Sequence, residues 1–170
     1  GKVMAIGGAV FAAGRYTITY GGAALGLMEG EAASPAIQMT AHGEPINNTD
    51  AFAKTMLDGI YQGADWHCQI NCIEWKTAVL GALWPWNAVL GTMGVIGRLY
   101  TDVALSIVLT AVAGTPAATS GPATITASKA IFAPNFDTRI LFGPTLRKTP
   151  IKFQLFPSGV AGSELWFSVT

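Results

Sequence analysis

Polar and apolar residues alternate along much of this chain, and the alternation changes period in a few places. Arg15–Tyr20 reads RYTITY, which predicts a strand with Tyr16, Ile18 and Tyr20 on one face. Gly21-Gly22 predicts a turn, and Ala36–His42 a second strand with Ile37 and Met39 together. Pro45 to Asn48 reads as a loop, and Asn48-Thr49-Asp50 offers a helix N-cap. Phe52, Met56, Leu57 and Ile60 then fall at helical spacing, which predicts a helix over 50–61 cut short by Gly59 and Gly63. Asp65–Trp75 is the clearest strand. Trp66, Cys68, Ile70 and Cys72 share one face, His67, Gln69 and Asn71 the other, and the slip at Ile73 suits a bulge or a strand end. Lys76–Trp84 predicts a short helix that Pro85 ends, and a glycine-rich loop follows over 87–98. Asp102–Ala113 contains ALSIVLTAV, whose length and β-branched content predict a strand buried on both faces. After a turn over 114–122, strands are predicted at 123–132, 137–142, 149–156 and 164–170.

Strands dominate this reading. The expected class is mainly β, a β-sandwich or partly open barrel with one or two short helices and extended loops. The expected organisation is one domain over residues 1–170, with a Gly/Ala-rich N-terminal arm at 1–14 and a long apolar loop at 84–100.

Composition sharpens the picture. The 170 residues are 51% hydrophobic and only 12% charged, against about 25% charged in a typical soluble domain. A compact monomer of this size exposes roughly 8,000 Å², which leaves about one charge per 400 Å². Such a surface carries apolar patches that a membrane or further copies of the chain would have to cover. Thr77 to Gly97 is uncharged between Lys76 and Arg98, long enough for a membrane span. Pro85, Asn87, Gly81, Gly91, Gly94 and Gly97 interrupt it, so no span is expected. Gly7, Gly8, Gly14 and Arg15 likewise break the apolar run after Lys2, and no secretory leader is expected. Ala5 stands where a myristoylation pattern wants Ser or Thr. Assembly with further copies is the leading expectation.

Catalytic patterns are scarce. Ten basic and ten acidic residues balance to zero, which gives no basic footprint for tight nucleic-acid binding. There is no G-x-S-x-G, no phosphate-binding G-x-x-x-x-G-K and no G-x-G-x-x-G. His42 and His67 lack an evident nucleophile partner, and Glu29 with Glu31 reads as a solvated pair. No enzyme activity, cofactor or metal is expected. Cys68 and Cys72 sit four residues apart on one strand, roughly 13 Å at strand rise, too far for a disulfide. They read as buried thiols, and a zinc site with His67 is the weaker alternative. The tryptophans at 66, 75, 84, 86 and 166 suit a core and interfaces better than a sugar platform. Apolar and aromatic character makes Tyr16, Ile18, Tyr20, Trp84, Trp86 and Ile96 the candidate subunit contacts.

Three segments between Gly14 and Trp75 read GRYTITYGGAALGLMEG, IQMTAHGEPINNTDAF and TMLDGIYQGADWHCQINCIEW. They resemble the tail tube (major tail) proteins of long-tailed bacteriophages. In that family a strand leads to a Gly-x-x-Leu-Gly turn, a second strand, a polar loop ending in aspartate, and a Leu-Asp-Gly-Ile-x-x-Gly stretch feeding a long strand. Leu25-Gly26, Asp50, Leu57-Asp58-Gly59-Ile60 and Gly63 occupy those places here. The order continues with Leu109-Thr110-Ala111 before Gly114-Thr115-Pro116, AIFAP at 130–134, Leu146-Arg147, Pro150-Ile151-Lys152-Phe153, and Trp166 to Thr170. Residues 76–100 fit least, being longer and more apolar.

The resemblance implies a structural virion protein of the phage tail, assembled in the host cytoplasm. Six subunits would form a ring, and rings would stack into a tube around a tape-measure protein, between tail-tip or baseplate and terminator proteins. DNA would pass through the lumen without sequence-specific binding. His67, Gln69 and Asn71 are then candidates to face the lumen. The alternatives are another ring- or shell-forming virion component (tail terminator, connector or capsid protein) and a carbohydrate-binding β-sandwich.

Overall fold

The computed structural model describes residues 5–6, 9–10, 14–26, 35–48, 55–141, 143–144 and 148–170. In chain order the strands are β1 (Ala5–Ile6), β2 (Ala9–Val10), β3 (Tyr16–Tyr20), β4 (Ala23–Ala24), β5 (Ala36–Asn48) and β6 (Thr55–Cys72). Two short helices follow, α1 (Thr77–Leu83) and α2 (Tyr100–Val103), then β7 (Leu105–Ala111), α3 (Pro116–Ser120), β8 (Thr124–Phe132), β9 (Thr149–Phe156) and β10 (Ser168–Val169). β1 and β2 pair only with each other. The other strands form one eight-stranded sheet in the order β4-β3-β7-β8-β9-β6-β5, with β10 added to β8. Every pairing is antiparallel. The fold is mainly β with few helices, a sheet curled into an open barrel.

Contacts between distant strands show the curl. Tyr20 on β3 lies three positions from β9 in the sheet order, yet its ring stacks on Phe153 with centroids 4.8 Å apart. The Tyr20 hydroxyl donates to the Ala130 carbonyl of β8 at 2.8 Å. A flat sheet would hold these strands roughly 10 Å or more apart at 4.8 Å per strand step. The concave face holds the core. Ile18, Cys68, Ile70, Ile107, Ile151, Phe153 and Leu155 are fully buried there, and α1 adds Val79, Ala82 and Leu83. Each Val, Leu, Ile and Phe side chain among them contributes about 1.5–3 kcal/mol through burial.

The local readings hold where one face meets this core. β3 and β9 follow the alternation, β8 forms at its predicted place but buries the adjacent Ala130 and Ile131, and α1 lies within the predicted 76–84 helix. Gly21 and Gly22 turn β3 into β4 at φ 60° and 84°, a backbone that glycine adopts without cost. Cys68 and Cys72 are buried free thiols on the core side of β6.

Six expectations need correction. Pro45 to Asn48 is not a loop but the outer end of β5, paired with β6. The turn over 114–122 contains the short helix α3, with Pro116 at its start. The helix over 50–61 is not formed at its described positions: 55–61 belong to β6, while Asp50 and Phe52 lie outside the described residues. The run 102–113 is not one strand buried on both faces. Its start is α2, and β7 buries Ile107, Leu109 and Ala111 while Leu105 and Thr110 are exposed. Residues 137–141 form no strand, and Phe142 lies outside the described residues. Over 164–170 only Ser168–Val169 is strand, with Leu165 bridged to Ser158. Most of the 1–14 arm, Glu29, Glu31 and Arg147 also lie outside the described residues. Among the described residues no helix is long and apolar enough to cross a membrane.

Candidate functional site

Two exposed apolar elements stand out from this barrel. The first is the far end of the β5–β6 hairpin. β9 supports β6 only from Cys72 back to Trp66, which pairs with Leu155. Beyond that point, among the described residues, β5 and β6 pair only with each other, from Thr40↔Asp65 out to Asn48↔Thr55. Nine β5 residues at about 3.4 Å each make a two-stranded arm roughly 30 Å long. The ladder slips where His42 pairs with Gly63 and Gly43 with Tyr61, leaving Gln62 as the extra residue. Gly63 takes φ 112° there, as such bulges favour. His42 Nε2 and Asp65 Oδ2 meet at 2.7 Å beside the slip, an exposed hydrogen bond that adds little stability.

Direct pairing assigns the arm's faces. Glu44 opposes Ile60 and Ile46 opposes Asp58, so these four side chains share one face in a checkered apolar–acidic pattern. Ile46 and Ile60 are 46% and 53% exposed. Along β5 this face continues to His42, Thr40 and Gln38, and from Gln38 across to His67 and Gln154. The opposite face carries Tyr61, Met39 and Trp66. Against the base of the arm it forms a groove of about 330 Å³ with Leu165, Trp166 and Phe167, where Trp66 meets Phe167 edge-on at 4.8 Å.

The second element is the loop between α1 and α2. Val89, Leu90, Met93, Val95, Ile96 and Leu99 are all exposed, Ile96 by 85%. The loop is nonetheless held to one shape. Trp84 Nε1 donates to the Thr92 carbonyl at 2.8 Å, and Asn87 accepts from the Val89 amide. Trp86 packs so closely on Gly94 that an added Cβ would sit 2.7 Å from its side chain and carbonyl. The other side of Trp86 meets Tyr100 edge-on at 4.9 Å, and Tyr100 leans on Phe156 of β9.

The sequence-predicted contact residues therefore fall into two groups. Ile18 and Tyr20 are core residues, 1% and 5% exposed, and leave almost nothing to offer a neighbour. Tyr16 is partly buried, with its hydroxyl on the Pro122 carbonyl. Trp84 and Trp86 are half-buried supports of the loop, while Ile96 stands free at its surface. The arm's exposed Ile46, Asp58 and Ile60 are not among the predicted contacts, because the sequence predicts a loop at Ile46 and a helix over 50–61. Arg98, at the end of the uncharged run, is exposed on the same loop.

His67, Gln69 and Asn71 do lie together, on the polar face of β6 opposite the core. Gln154 and Lys152 of β9 sit beside His67 and Gln69. Partial burial and then the nearby Lys152 charge hold the His67 pKa below its usual value, partly offset by a Gln154 hydrogen bond and Asp65. On the core face, burial pushes the Cys68 thiol up to about 12 and Cys72 to about 11. Both therefore stay protonated and poorly nucleophilic at neutral pH. Among the described residues no three His, Cys, Asp or Glu side chains are grouped to hold a metal ion. No protein-family model matches the chain, nor does any curated protein.

Proposed function

We propose that this protein is a structural subunit that assembles with copies of itself into hexameric rings stacked as a phage-type tail tube. The observation that carries the reading is the β5–β6 arm. A two-stranded ribbon alone is marginally stable in water. This one extends past the sheet with Ile46, Ile60, Leu57 and Tyr61 uncovered. The 89–99 loop adds a second uncovered apolar element. Two different apolar surfaces on one chain suit a head-to-tail contact, which closes into rings and propagates by stacking. The low charge of the chain agrees, because obligate interfaces of this kind are large and apolar.

The polar face around His67, Gln69, Asn71 and Gln154 suits the wall of a DNA conduit. Lysine and arginine contacts to phosphate dominate DNA affinity. Lys152 stands beside Gln69 on this face, while the amides and an imidazole held below its usual pKa offer phosphate no fixed positive charge. Tape-measure, tail-tip and terminator partners, and a place in the virion tail, follow from the same reading. Negative-stain electron microscopy of the purified protein tests it. Rods of uniform width with a central channel are expected. Single dispersed subunits at high concentration would refute it, and closed shells would favour a capsid role.

A further inference from the structure

Resting on the self-assembly reading, the inference concerns which surfaces meet. We propose that the 89–99 loop of one subunit seats on the Glu44/Ile46/Asp58/Ile60 face of the arm of a neighbouring copy, with Arg98 against the two carboxylates.

Charge is the first argument. Arg98 is the one charged residue between Lys76 and Asp102. Glu44 and Asp58 are the acids on the outer part of this face, Asp65 at its base being held by His42, and the described residues of the arm include no lysine or arginine. Among the described residues Arg98, Glu44 and Asp58 join no ion pair. An apolar loop with a lone cation thus faces an apolar ribbon with two anions. Complementarity of this sort sets partner and register.

Area is the second. The six exposed apolar side chains of the loop present on the order of 400 Å², taking about 100 Å² for each fully exposed chain. That is as large as the biggest patch of a typical monomer, and about half of the roughly 800 Å² one side of a standard interface buries. A second copy supplies the matching surface without any other partner.

Preorganisation is the third. Trp84, Asn87 and Trp86 already fix the loop, so docking orders few further groups and loses less entropy.

The test is a charge-swap cycle on the full chain, read as the critical concentration for assembly by sedimentation. Arg98→Glu alone and Glu44→Lys/Asp58→Lys alone should each raise it about tenfold or more, as expected for a charge pair desolvated in an interface. Combining all three changes should restore it towards the wild-type value. Circular dichroism of dilute subunits should be unchanged, since all three residues are exposed. Wild-type assembly with Arg98→Glu unaffected would overturn this contact while leaving self-assembly intact, as would a triple variant no better than the singles. A wild-type chain that never assembles would overturn the functional reading itself, and this contact with it.

Discussion

Replacing Tyr20 by Phe should make the subunit less stable at neutral pH and yet more tolerant of alkali. At neutral pH the change removes the hydrogen bond from the Tyr20 hydroxyl to the Ala130 carbonyl and leaves the ring on Phe153. A buried hydrogen bond contributes about 1 kcal/mol net, and an unpaired carbonyl raises the loss to about 1–2 kcal/mol. Burial pushes the Tyr20 phenol from 10.0 up to about 12. Below pH 10 the folded and unfolded states both keep the proton, and the contribution is intact. Between pH 10 and 12 the unfolded tyrosine ionises while the folded one does not, so stability falls as pH rises. A difference of about two pKa units corresponds to roughly 3 kcal/mol lost across that window. Cys68 loses stability in the same direction from its usual 9.0, so the Tyr20 share is the difference between wild type and variant. Urea denaturation of dilute subunits across pH 7–12, with tyrosinate absorbance followed in parallel, gives both curves. They should converge, and cross near the upper end. Parallel curves would refute the picture of Tyr20 as a buried, neutral link across the curled sheet.

Other perturbations separate the core from the exposed elements. Gly94→Val should displace the loop from Trp86, because the new Cβ meets the Trp86 side chain and carbonyl at 2.7 Å. Faster proteolysis within 87–99 and a shifted tryptophan emission should appear with core stability changed by less than about 1 kcal/mol; an unchanged loop would contradict the packing. Cys68 and Cys72 should resist a thiol reagent at neutral pH and react only at the rate of subunit opening. Prompt labelling of either would show the core face of β6 to be accessible. Phe153→Ala, at the centre of the core, should cost about 3–5 kcal/mol in the same urea assay.

The parts of the fold legible in the sequence are those with one face on the core. β3, β9 and the 65–72 part of β6 alternate because one side of each strand is buried and the other is not, whereas β8 buries the adjacent Ala130 and Ile131 past a register shift against β7. α1 was legible from its length and from the proline that follows it. The arm was not legible, for a physical reason. Periodicity records burial, and both faces of the arm are uncovered in the single subunit. Met56, Leu57 and Ile60 therefore fell at helical spacing with no core to correct the reading. Gly59 and Gly63 carried the better signal, since they weaken a helix and suit a bulged ribbon. The contact residues divide the same way. Apolar character marks both core and interface, so it placed Ile96 on the surface but also drew in Ile18 and Tyr20 from the core. Trp84 and Trp86, expected as anchors for a neighbour, brace their own loop.

Hydrogen exchange along the arm tests most directly whether copies of the chain complete this subunit. In dilute, dispersed protein the amides of 43–48 and 55–62 should exchange quickly, while those of Cys68–Cys72 stay protected by β9. In the assembled state the arm should become as protected as the core strands. Assemblies whose arm amides exchange as fast as those of the dispersed chain would contradict the account.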